Sequence, residues 1–136
     1  MRISTELLRE TAAYVEQYMT EHFTETILFH NYKHTVKVVR VCDMISMENN
    51  LSKKECRLIH LAGWFSNIGY KTNPNNHEEE SAKLAKMFLE AKGLDRASIQ
   101  EIQESILATK APQHPHSVIA RILCDAVLFH LFLSCH

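Results

Sequence analysis

Three glycines and three prolines in 136 residues limit this chain more than any other feature of its sequence. Tight hairpins draw on Gly, Asn-Gly and Pro for their backbone angles, so a chain this poor in them has few places to reverse sharply. Long uninterrupted segments follow, and 46% hydrophobic residues give them enough apolar surface to bury a core. The expectation is an all-α fold, an antiparallel helical bundle of about six helices. Residues 1–136 form one domain, because this length supports one core and not two.

Ser4 or Thr5 can cap a first helix whose stripe runs Leu7, Leu8, Ala12, Val15, Tyr18 and Met19, ending near Phe23. Asn31 is placed to cap a second helix, with Val36, Val38, Val39, Val41, Cys42 and Ile45 inside it. Its valines suit a strand, but no polar stop comes before Glu48, which is too long a run for one. Ser52 with Glu55 reads as a capping box opening a third helix, apolar on most sides and therefore central, which Gly69 suits as a stop. Residues 71–76 form the clearest loop. Asn76 with Glu79 is a second capping-box candidate, its acidic first turn complementing the helix dipole, and Gly93 ends that helix. Asp95 or Ser98 opens a fifth helix, stopped by Ala111-Pro112. Pro115 precedes a sixth, from Ser117 to about Leu133. Repeats, low-complexity tracts and domain linkers are absent from the sequence.

A formal charge of -1 gives no basic footprint for a nucleic-acid polymer, though local positive groups can still hold a small anion. No segment reaches the roughly 18 consecutive apolar residues of a membrane span. The first ten residues carry charges rather than the apolar core of a signal peptide, so a cytoplasmic protein is expected. Cys42, Cys56, Cys124 and Cys135 form no CxxC pair and sit in or beside apolar runs, so they read as reduced, buried thiols rather than a disulfide or zinc site. Nine histidines are many for this length. His114 and His116 flank Pro115 in what reads as a solvated turn, and His130 and His136 fall in no pattern.

Hydrolysis of a phosphate ester by a helical protein ordinarily uses metal ions, held by imidazole and carboxylate from several helices. Five segments bear on that chemistry, in this order: FHNYKHT at 29–35, LAGWFSNIGY at 61–70, HEEESA at 77–82, ILATK at 106–110 and ILCDA at 122–126. Together they resemble one branch of the HD phosphohydrolase family, whose corresponding elements read HNxxHT, LAALFHDIGY, HEEESA, ILATK and ILCDADL. Each alone is weak; five in the same order are specific. The resemblance covers residues 28–131 and implies an HD-type helical fold.

It also implies where the metal ligands belong, and there the chain departs from the pattern. The first ligand position is His34, which is kept. The family's His-Asp pair is here Ser66 and Asn67, and its last Asp is Val127. Hydroxyl and amide oxygens are weak neutral donors and valine is none. No catalytic residue, metal or other cofactor is therefore expected. Asp125 remains, but two residues along a helix is a rotation of roughly 200°, which turns it elsewhere. His30, Asn31, His77 and Lys110 match positions that the resemblance places near metal or substrate. With His34, Ser66 and Asn67 they form the candidate ligand-binding set. Lys110 would supply charge and the helix start at His77 would supply backbone donors to a small phosphate-containing ligand; otherwise these groups are structural relics.

Two functional classes follow. The first is a degenerate HD domain without metal-dependent catalysis, which binds a small anionic ligand or a protein partner or is a decayed remnant. The second is a metal-dependent phosphohydrolase acting on a nucleotide or other phosphate ester, with divalent Mn, Fe or Mg on a rearranged set, His34, Asn67, His77 and Asp125. The chain is expected to be shorter at its C-terminus than the family. Its apolar run 127–133 should either close the core or pair with a second copy in a homodimer.

Overall fold

The computed structural model describes residues 3–70, 74–110 and 113–134, with backbone alone for 74 and 129–134. Among the described residues the regular elements are α1 (Thr5–His22), α2 (Glu25–Glu48), α3 (Lys53–Phe65), α4 (His77–Ala91), α5 (Arg96–Ala108) and α6 (Val118–Ser134), with a 3-10 turn at Pro74–Asn76. This is the all-α, six-helix architecture that the scarcity of turn residues implies.

Local signals set most helix starts. The Ser4 hydroxyl accepts from the Leu7 amide at 3.0 Å. Ser52 and Glu55 exchange both bonds of a capping box. Asp95 takes the Ser98 amide at 3.0 Å and the Ser98 hydroxyl at 2.9 Å. Gly93 closes α4 with φ 83°, a left-handed angle that costs glycine nothing. The valine-rich stretch lies within α2 and is helical throughout. The Ala111-Pro112 stop and residues 71–73 of the expected loop lie outside the described residues; α5 itself ends at Ala108, with Thr109 as its C-cap.

Three local expectations are corrected. Asn31 does not cap α2, which begins earlier behind Thr24. Asn31 lies inside the helix, where its amide nitrogen donates to the Ile27 carbonyl at 2.8 Å. Asn76 is the N-cap of α4 but makes no side-chain capping bond, because its oxygen and Glu79 both turn to Lys110. Gly69 is not a helix stop either, since α3 ends at Phe65. It is required for close approach: a Cβ there would stand 2.7 Å from the Ser81 nitrogen and 2.8 Å from the His77 carbonyl oxygen.

α3 is the central element and touches each of the other five helices. Leu58, Ile59, Leu61, Ala62, Gly63, Trp64 and Phe65 are all buried on it. Burial of each large side chain here stabilises the fold by about 1.5–3 kcal/mol. α1 and α2 cover one side, α4 pairs with α5, and α6 lies across α2 and α5. Of the apolar run 127–133, Val127 is half-buried and packs on the core, while Leu128 is exposed. The rest of that run, on which the homodimer expectation falls, lies outside the described side chains. No helix among the described residues is long and apolar enough to cross a membrane.

Candidate functional site

Two polar clusters flank the corner after α3, one joining it to α2 and one at the start of α4. The first joins α2 to α3. Asn67, just past α3, donates an amide hydrogen to the Asn31 side-chain oxygen. Asn31 is held in turn by Ile27, and its carbonyl accepts the Thr35 hydroxyl at 2.9 Å. Both Asn31 and Asn67 are half-buried, so their amides profit from pairing with each other. His34 stands one turn along α2 from Asn31 and is also half-buried. Ser66 is buried, and its hydroxyl donates to the Gly63 carbonyl at 2.9 Å.

The second cluster surrounds the start of α4. Ser81, fully buried, receives the Gly69 amide on its hydroxyl at 2.9 Å, which fixes the corner after α3 against α4. Lys110, at the end of α5, reaches back to Asn76 Oδ1 at 3.2 Å and Glu79 Oε1 at 2.8 Å. The hydrogen bond to Glu79 holds the Lys110 ammonium above its ordinary value. The same bond holds the Glu79 carboxyl below the usual carboxylate range. His77 Nε2 lies 3.1 Å from Glu78 Oε2, and the ring meets Tyr70 edge-on at 5.9 Å. The structure thus brings Asn31 to Asn67, and Lys110 to the start of α4 beside His77. The Lys110 charge is shared with Glu79 rather than left open.

His30 is exposed, its ring edge-on to Phe29 at 5.5 Å. His114 and His116 are exposed in the segment before α6 and line a shallow cleft with Leu107 and Ala108. His130 and His136 lie outside the described side chains. Cys42 and Cys124 are buried free thiols and Cys56 is a half-buried one; Cys135 lies outside the described residues.

One polar constellation escaped sequence reasoning. His60 on α3 places Nδ1 2.9 Å from Asp43 Oδ1 on α2, and the Trp64 indole donates to His60 Nε2 at 3.1 Å. An indole nitrogen only donates, so Nε2 must accept and the His60 proton sits on Nδ1, facing Asp43. The four-residue spacing of His60 and Trp64 puts them on one face of α3 and is visible in the sequence. The arrival of Asp43 from another helix is not.

The HD resemblance implies a divalent metal between α2, α3 and α6, and the residues present do not fit one. The Ser66 hydroxyl and the Asn67 amide are committed to protein partners, and Val127 packs on the core with an apolar side chain. Asp125 on α6 is exposed. Among the described residues no group of three His, Cys, Asp or Glu side chains is placed to hold a metal ion.

No protein-family model matches the sequence, and no curated protein matches it significantly. The structure matches the crystal structure of a predicted HD superfamily hydrolase from an uncultured Thermotogales bacterium, with a TM-score of 0.72 and 21% identity. The match covers 89% of this chain and 66% of that one, less than two thirds of its length. The chain has the HD-superfamily helical fold.

Proposed function

We propose that this is a non-catalytic HD-fold domain, in which the polar corner between α3 and α4 serves to bind a small phosphate-bearing ligand without metal. The observation that carries the reading is the hydrogen bond from the Asn67 side-chain amide to the Asn31 side-chain oxygen. It ties the end of α3 to α2 at the position where the family's ligands would bridge those helices through an ion. A neutral hydrogen bond does that mechanical work with no charge to balance, and it leaves no lone-pair-rich carboxylate for a cation. His77, the Asn31–Asn67 pair and Lys110 supply the polar groups for the ligand. Lys110 would exchange Glu79 for phosphate oxygen, since both partners are exposed and such a pair is weak in water.

Two measurements test this together. Protein purified without chelator should contain substoichiometric Mn, Fe, Mg or Zn, and added Mn²⁺ should barely raise its melting temperature. Calorimetric titration with inorganic phosphate and with AMP should show binding that Lys110→Ala and Asn67→Ala each weaken. One tightly held ion per chain, lost in His34→Ala, would instead establish the metal-dependent phosphohydrolase reading with the rearranged set His34, Asn67, His77 and Asp125. Metal-free protein with no affinity for either phosphate probe would overturn the binding role.

A further inference from the structure

Across α2 from Asn31 and His34 lies a cleft of about 460 Å³, lined by Glu16 and Thr20 of α1 and by Glu25, Leu28, Phe29, Tyr32 and Lys33 of α2. The five α2 residues follow the i, i+3, i+4, i+7, i+8 spacing of one helix face. At roughly 100° per residue, Asn31 and His34 point away from that face. The cleft is therefore separate from the polar corner. Its volume falls in the range that holds small organic ligands.

The chemistry of the lining is specific. Leu28, Phe29 and Tyr32 give it an apolar wall, and Phe29 is 63% exposed. Of the charged groups at the cleft, Glu16 and Glu25 are anionic and Lys33 alone is cationic. Glu16 already accepts the Tyr32 hydroxyl at 3.4 Å, so carboxylate and aromatic wall adjoin. Lys33 holds its ammonium 5.6 Å from the Phe29 ring centre, within cation–π range. Lys33 is thus held on Phe29, and the two carboxylates are left to meet a ligand's charge.

We propose that this cleft binds a small amphiphilic cation, an amine or quaternary ammonium that carries a ring or short apolar tail. The apolar part lies on Leu28, Phe29 and Tyr32, and the cationic head faces Glu16 and Glu25. An anion meets two carboxylates there, and a neutral isostere gains no ion pair.

Titration with 2-phenylethylamine, 2-phenylethanol and 3-phenylpropionate, followed by amide chemical shifts, tests the assignment. The amine should bind about tenfold more tightly than either of the others, from two partly screened ion pairs. Its shifts should map to residues 16–33. In the double variant Glu16→Gln, Glu25→Gln the preference for the amine should disappear while the three probes still share the apolar wall. Phe29→Ala should weaken the amine further. Equal binding of the three probes to the unmodified protein, preference for the carboxylate, or shifts confined to another region would overturn the proposal. So would no binding at millimolar amine.

Discussion

Asn31 and Asn67 meet through their side-chain amides, and this single contact ties the corner after α3 to α2. Two half-buried amides satisfy each other, and Ser66 satisfies itself on Gly63, so no uncompensated polar group is left. On α6, Val127 packs on the core. If His34 faces the point where these positions converge, then Ser66→His, Asn67→Asp and Val127→Asp together should rebuild a nitrogen-and-carboxylate site for Mn²⁺ or Fe²⁺. Val127→Asp alone should destabilise by about 1–3 kcal/mol, since it pushes a charge against the core with no cation nearby. Metal should restore that loss only in the triple variant. A folded triple variant that takes up no metal in calorimetry would show that the positions do not converge. Metal uptake and not hydrolysis is the readout, because activity depends also on the groups that orient the ligands.

At the scale of elements, the start of α4 departs most from its local code. Asn76 and Glu79 carry the spacing of a capping box, and α5 diverts both through Lys110. A long-range cation thus replaces a local cap, which no pattern within α4 announces. The replacement has a pH signature. Glu79 titrates below the usual carboxylate range because Lys110 hydrogen-bonds to its charged form. Its contribution is then present above the ordinary carboxylate value and is lost as pH falls through the lowered folded value. The Lys110 contribution, raised by the same bond, is full below the ordinary lysine value and is lost as pH rises through the raised one. Both groups are exposed, so the effect on stability is small. In Lys110→Met the Glu79 carboxyl should titrate higher, towards the ordinary range, by NMR. An unchanged Glu79 titration would refute the pairing in solution.

For the whole molecule, the thiols report how firmly the bundle is closed. Cys42 sits on α2 facing α3 with no exposed surface, and burial away from solvent pushes its thiol up. Cys124 on α6 is shifted the same way for the same first reason. Thiolate is the reactive form, so neither should react while the helices stay packed. Among the three described cysteines, half-buried Cys56 should be modified first by a thiol reagent at pH 8. Cys42 and Cys124 should follow only at the rate of opening of the bundle, and denaturant should accelerate them together. Peptide mapping by mass spectrometry would check the order. Rapid labelling of Cys42 in native protein would mean that α2 and α3 separate easily.

The sequence by itself determined the helical class, most of the helix starts and the centrality of α3. These depend on interactions within a few residues, such as Ser52 with Glu55 or Asp95 with Ser98, and on apolar periodicity along one helix. It also displayed five segments that resemble HD-family elements in the same order, because such a resemblance is a matter of identity and order. The partners of those side chains were decided only by the tertiary structure. Asn31 reads locally as a cap and acts as a clasp, Gly69 reads as a stop and acts as a close contact, and Lys110 reads as an open charge and acts as a bridge. Asp43 joins His60 and Trp64 only because α2 packs along α3. In each case a residue's role is fixed by a group distant in sequence, and only packing brings such groups within hydrogen-bonding reach.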